Sequence, residues 1–80
     1  MSATILVVED EPQVQELVAV NLEHAGHRVR RAATAGEAET SIREELPDVL
    51  ILDWMLPDES GISLTRRLRE NERTRSLPIL

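Results

Sequence analysis

Apolar residues fall into two unbroken runs and three spaced sets. Ile5-Leu6-Val7-Val8 is continuous and branched, the mark of a strand covered on both faces. The run stops at Glu9-Asp10-Glu11-Pro12, and a proline behind acidic residues suits the opening turn of a helix. Val14, Leu17, Val18, Leu22 and Ala25 then recur at helical spacing and predict an inward-facing stripe, with Gly26 as the C-terminal cap.

His27 to Ala32 alternates weakly through Arg28, Val29 and Arg30, which predicts a short, partly exposed edge strand. Thr34 followed by Glu37 reads as a capping box opening a second helix, with Ala38 and Ile42 facing inward and Pro47 beyond its end. Val49-Leu50-Ile51-Leu52 is the second unbroken run and ends at Asp53. Loop chemistry follows from Leu56 to Gly61, with Ser60 as the cap of a third helix marked by Leu64 and Leu68. After a polar link from Glu72 to Ser76, Leu77-Pro78-Ile79-Leu80 opens a fourth strand.

The alternation β-α-β-α-β-α-β predicts an α/β fold, a doubly wound parallel sheet with helices on both faces. The expected strand order is 2-1-3-4. At 80 residues the chain is one domain, with no repeat or internal linker. The last stretch is expected to leave an open sheet edge at residues 77–80 and a tendency to self-associate there.

Composition removes several function classes. Fifteen acidic residues oppose nine basic ones, giving a formal charge of −6 and a pI near 4.8, which argues against direct binding of nucleic acid or an anionic membrane. All the basic residues are arginine. Phe and Tyr are absent and Trp54 is the sole aromatic residue, so a base-stacking platform has nothing to build on. With no cysteine there are no disulfides, thiolate metal sites or cysteine nucleophiles. No apolar run approaches the roughly 18 residues of a membrane span and no signal-peptide pattern opens the chain. A cytoplasmic location is the expectation.

Candidate chemistry sits where the unbroken runs end. In a doubly wound sheet the crevice lies beyond the carboxyl ends of the strands, where strand order reverses. With order 2-1-3-4, Glu9 and Asp10 meet Asp53 there. Like charges this close either take up protons or gather a cation, and oxygen-only ligands favour a hard ion such as Mg²⁺. A carboxylate is also a competent phosphoryl acceptor, forming an acyl phosphate. The spacing thus permits a metal-assisted aspartyl-phosphate site. It equally allows Glu9 and Asp10 to be helix caps and Asp53 to be a loop residue.

Val7-Val8-Glu9-Asp10-Glu11, with Leu50-Ile51-Leu52-Asp53-Trp54-Met55-Leu56-Pro57 and Ser60-Gly61, resembles the receiver domains of bacterial two-component response regulators. The stretch from Asp53 to Pro57 is similar to the branch carrying a winged-helix DNA-binding domain, and to its phosphate-regulon regulators in particular. The resemblance runs through the whole chain. It implies a flavodoxin-like receiver fold, Asp53 as phosphoacceptor, and Asp10, Asp53 and the Met55 main-chain carbonyl as Mg²⁺ ligands, with Glu9 acting through water. It also implies a sensor histidine kinase as partner, DNA contact only through an effector domain not in this chain, and a possible homodimer. The kinase's phosphodonor domain would dock on the first helix, making Val20, Gln13 and Glu16 candidate contacts. Family members continue with a switch Ser or Thr, a helix, a strand ending in Lys, and a last helix. This chain stops at Leu80 and contains no lysine, so residues 1–80 are expected to be a partial receiver, lacking the last helix-strand-helix and binding Mg²⁺ weakly.

Other readings stay open. An aspartate-nucleophile phosphohydrolase needs a second carboxylate two residues after the nucleophile, where this chain has Met55. A nucleotide site has no glycine-rich turn to build on, since Gly26, Gly36 and Gly61 are isolated. A non-switching pseudo-receiver used for protein contacts is disfavoured by the presence of Glu9, Asp10 and Asp53 together. His24 and His27 are expected to be solvated, and Arg66, Arg67 and Arg69 to form an exposed face, with Glu70 a possible partner.

Overall fold

A computed structural model describes residues 2–80. Its elements run β1 (Thr4–Val8), α1 (Pro12–His24), β2 (Arg28–Ala32), α2 (Ala35–Glu44), β3 (Val49–Leu52) and α3 (Gly61–Glu70). The sheet is parallel in the order β2-β1-β3. Residues 78–80 extend it beyond β3. Leu50 N–H donates to the Pro78 carbonyl at 2.9 Å, Leu80 N–H to the Leu50 carbonyl at 2.9 Å and Leu52 N–H to the Leu80 carbonyl at 3.0 Å. The predicted order 2-1-3-4 therefore holds, with a single parallel bridge, Leu50 to Ile79, in the fourth place.

β1 is central, and Ile5, Leu6, Val7 and Val8 are all buried, as an unbroken run predicts. Side chains alternate across the sheet. Leu6, Val8, Leu50 and Leu52 join Ala35, Ala38 and Ile42 of α2, Leu64 and Leu68 of α3, and Leu77 in one core. The opposite face is covered by α1, which leaves Val49 and Ile51 half-buried. Thr34 caps α2, its Oγ1 accepting from Glu37 N–H at 3.0 Å, while the Glu37 carboxylate reaches back to Ala33 N–H at 3.0 Å, one residue before the N-cap amide that a strict capping box uses. Ser60 caps α3 by accepting from Ser63 N–H at 3.1 Å.

Several expectations need correction. The inward stripe of α1 is rotated. Ala19 is its buried residue, with Val18 and Leu22 half-buried, whereas Val14 and Leu17 are 45% and 64% exposed and Ala25 is exposed. Helical spacing marks an apolar stripe but not which flank of it meets the sheet. Arg66, Arg67 and Arg69 are exposed as expected, but Arg67 is paired across elements, bridging Glu39 of α2 and Glu59 of the loop before α3. Arg69 donates to the carbonyls of Thr74, Arg75 and Leu77 at 2.7–3.3 Å rather than pairing with Glu70. His27 is half-buried, its Nδ1 accepting from Ala3 N–H at 3.2 Å. The polar link contains a buried residue, Thr74, whose hydroxyl donates to the Leu68 carbonyl at 2.5 Å. No described helix is long and apolar enough to cross a membrane.

Candidate acidic site at the carboxyl end of the sheet

The register of the sheet builds the site. Val8 stands opposite both Ala32 and Leu52, so the three strands end level. One further rung follows on each side: Glu9 N–H donates to the Ala32 carbonyl and Asp53 N–H to the Val8 carbonyl, both at 3.0 Å. Backbone bonding thus sets Glu9 and Asp53 side by side on the rim. Asp10 is the next residue on the turn into α1.

Carboxylate oxygens of Glu9, Asp10 and Asp53 all lie within 4.8 Å of one another, with Glu9 and Asp53 half-buried and Asp10 exposed. Capping does not account for this grouping, because the N-cap of α1 is Glu11, whose carboxylate accepts from Gln13 N–H. Glu9 accepts from Glu11 N–H at 3.1 Å. Even so, its carboxyl sits above the usual range. Removal from water is the main cause, and the negative charges of Asp53 and Asp10 add to it against the opposing Glu11 amide. Gln15, unremarked in the sequence, steadies the rim from α1: its amide Nε2 donates to the carbonyls of Glu9 at 3.0 Å and Ala32 at 3.1 Å.

The loop after Asp53 is short and heavily tied. Met55 and Ser60 form an antiparallel bridge, and Gly61 N–H donates to the Trp54 carbonyl at 2.8 Å. Trp54 and Met55 project outward, 73% and 80% exposed. Met55 thus has its main chain bridged to Ser60 and its side chain in solvent. At the loop tip Asp58 accepts from Ala35 N–H and Gly36 N–H, each at 2.9 Å, which holds its carboxyl below the usual range. Glu59 is likewise lowered, chiefly by Arg67. Neither Asp58 nor Glu59 carries a sequence signal of its role, since their partners come from other elements.

Gln13, Glu16 and Val20 lie on α1, the helix that leads away from Asp10. They flank one shallow apolar groove with Pro12 and Leu17. The candidate contacts therefore share one stripe, in which Leu17 is the large exposed apolar residue.

A parallel α/β sheet with an acidic cluster at the carboxyl end of its central strands defines the class: a receiver-type signalling domain. The chain belongs to the response regulator receiver domain family, whose model matches residues 5–80. It is 50% identical over 80 residues to the phosphate regulon transcriptional regulatory protein PhoB of Rhizobium meliloti, covering all of this chain and 35% of that protein. It is 46% identical over 77 residues to PhoB of Pseudomonas aeruginosa, covering 96% of this chain and 34% of that protein. The N-terminal domain of a response regulator receiver protein from Methanoculleus marisnigri superposes with a TM-score of 0.92 at 30% identity, over 96% of this chain and 63% of that one. The chain thus spans about a third of the length of the curated relatives it matches.

The donor set fits a hard divalent cation. All three side chains are carboxylates and their oxygens lie within 4.8 Å of one another, the oxygen-only set such an ion prefers.

Proposed function

We propose that the chain is the phosphoacceptor portion of a transcriptional response regulator, receiving a phosphoryl group on Asp53 from a sensor histidine kinase. The convergence of Glu9, Asp10 and Asp53 within 4.8 Å carries this reading. An Asp53 carboxylate oxygen attacks the phosphorus of a phosphohistidine. The P–N bond breaks as the P–O bond forms, and the released imidazole nitrogen takes up a proton from solvent. The product is an acyl phosphate on Asp53. Asp10, Asp53 and the Met55 carbonyl would hold Mg²⁺ directly, with Glu9 acting through water, and the ion would supply positive charge against the carboxylates and the incoming phosphoryl oxygens.

Other residues of the chain position and shield. The Asp53 N–H bond to Val8 fixes the acceptor at the sheet rim, and Gln15 and Glu11 hold Glu9 beside it. The kinase's phosphodonor helices would dock on the α1 stripe of Gln13, Glu16, Leu17 and Val20, where an apolar strip is bordered by polar residues. Residues 1–80 form a partial receiver in this reading. A DNA-binding effector outside them carries the output, in the cytoplasm. With no lysine in the chain, the phosphoryl group gains no Lys contact from residues 1–80.

Incubation with acetyl phosphate and Mg²⁺, followed by intact-mass measurement, tests the proposal. The expected result is a gain of one phosphoryl group that hydroxylamine removes and that Asp53→Asn abolishes. Retention of the modification in Asp53→Asn would overturn it, and sustained turnover of a phosphoester would favour the hydrolase reading.

A further inference from the structure

A closed circuit of bonds surrounds the acidic rim. From the end of β1 it passes through Glu9 N–H to the Ala32 carbonyl at the end of β2. It continues along the backbone through Thr34 into the first turn of α2. There the Ala35 and Gly36 amides donate to Asp58. The loop then leads back from Asp58 to Asp53, whose N–H returns to Val8 of β1. Every link is backbone except one, the Asp58 carboxylate.

The loop it closes has little freedom of its own. Only residues 56–59 separate the bridged pair Met55 and Ser60, and Leu56 packs against the core. Glu59 adds a second tie, through Arg67 to Glu39 of α2. The Arg67 tie joins three long, partly exposed side chains. Asp58 instead grips two main-chain donors at the positive end of a helix, where a carboxylate is held by charge as well as geometry. Among the described residues no other side chain accepts from those two amides, the Thr34 hydroxyl being engaged by Glu37 N–H.

We infer that Asp58 is a positioning residue, locking the loop that follows Asp53 to the start of α2 and so fixing the main chain through Trp54 and Met55 against the acidic rim. The part of the inference that concerns Mg²⁺ rests on the function proposed above, since the Met55 carbonyl is a ligand only in that reading. The mechanical part does not. It makes the start of α2 and the loop behind the acceptor one rigid body, so that a change at either is felt at the other.

Thr34→Ala is the matched control, because it removes a side-chain acceptor from the same helix turn without touching the loop. The full 80-residue chain, Asp58→Ala, Asp58→Asn and Thr34→Ala are compared by thermal unfolding, by NMR hydrogen exchange of the Gly61 amide without metal, and by Mg²⁺ titration followed through Trp54 emission. Asp58→Ala and Thr34→Ala are expected to lower the melting temperature alike. Only Asp58→Ala should speed Gly61 exchange, by about tenfold, and weaken Mg²⁺ binding about tenfold, as loss of an outer-shell support does. Asp58→Asn, which keeps one acceptor oxygen, should fall between. Wild-type exchange at Gly61 in Asp58→Ala, or equal acceleration in Thr34→Ala, would overturn the inference. A wild-type chain blind to Mg²⁺ but showing the Asp58-specific exchange would uphold the mechanical lock and sink the metal site instead.

Discussion

Gly61 sets its bare Cα against the main chain of Asp53. A Cβ at this position would be driven into the Asp53 carbonyl oxygen and would stand 3.1 Å from the Trp54 Cα. Both obstacles are backbone, which cannot swing aside as a side-chain tip can. Gly61 is also the first residue of α3 and the donor to the Trp54 carbonyl. The start of α3 and the segment carrying the acceptor are therefore packed at backbone contact distance, which only glycine allows.

Gly61→Ala accordingly should push the two segments apart. The expected cost is about 1–3 kcal/mol, the usual range for overpacking a tight site. Gly36→Ala is the comparison, because a Cβ there meets the Asp58 carboxylate at an ordinary 3.6 Å and replaces glycine inside a helix. Urea unfolding should show Gly61→Ala clearly destabilised and Gly36→Ala unchanged or slightly stabilised. Equal midpoints for the two variants would contradict the packing described.

Crowding of Glu9, Asp10 and Asp53 makes a second expectation. Without metal, Glu9→Gln removes repulsion and should stabilise the fold by about 0.5–1 kcal/mol, the scale of exposed charge interactions. With Mg²⁺ the order should reverse. Wild type should gain about 1.4 kcal/mol at a tenfold excess over the Kd, while Asp53→Asn gains far less. Thermal melts with and without Mg²⁺, with Ca²⁺ as a larger hard ion for comparison, check both signs.

Much of this was legible from sequence, and the parts that were not share a cause. Unbroken apolar runs mark β1 and β3, and a parallel sheet forces the residues after them onto one rim, so Glu9, Asp10 and Asp53 were found from spacing. Thr34 and Glu37 sit three residues apart and speak for themselves. Asp58 meets Ala35 across 23 residues and Arg67 meets Glu39 across 28, so their roles depend on how loops and helices dock. Val14 and Leu17 fail differently: the stripe is real, but the sheet takes Ala19 and leaves them outside.

Acid should loosen the loop, with a sign set by the carboxyls involved. Asp58 and Glu59 titrate below their ordinary values of 3.8 and 4.5 in the folded chain, so the unfolded chain binds their protons more tightly. Their contribution is complete above those values and is lost as pH falls through and beneath them. Glu9 works in the opposite sense. Its raised carboxyl makes stability decline as pH climbs through the region just above 4.5, after which the effect is constant. Melting temperature against pH should therefore peak in mildly acid solution. Asp58→Ala should flatten the acid limb and Glu9→Gln the other. A wild-type profile that keeps rising through the mildly acid range would contradict the assignment to Glu9.

The sheet edge beyond β3 makes the last expectation. Pro78 and Leu80 direct their hydrogen-bonding groups at β3, so the N–H and C=O of Ile79 face the other way. Leu80 is 79% exposed, and with Trp54, Ile62 and Ile79 it borders an apolar cleft of about 550 Å³ between this edge and α3. A strand edge beside an apolar cleft is a template for a further strand or helix. β2, at the opposite edge, carries the exposed charges of Arg28 and Arg31, which discourage a neighbour. In the 80-residue chain by itself, association should therefore run through residues 77–80 and grow with concentration in sedimentation velocity. Leu80→Lys should restore a monomer, while Leu17→Lys on α1 should leave association unchanged. A wild-type chain that stays monomeric at the highest soluble concentration, or one rescued equally by Leu17→Lys, would show that this edge is not where copies meet.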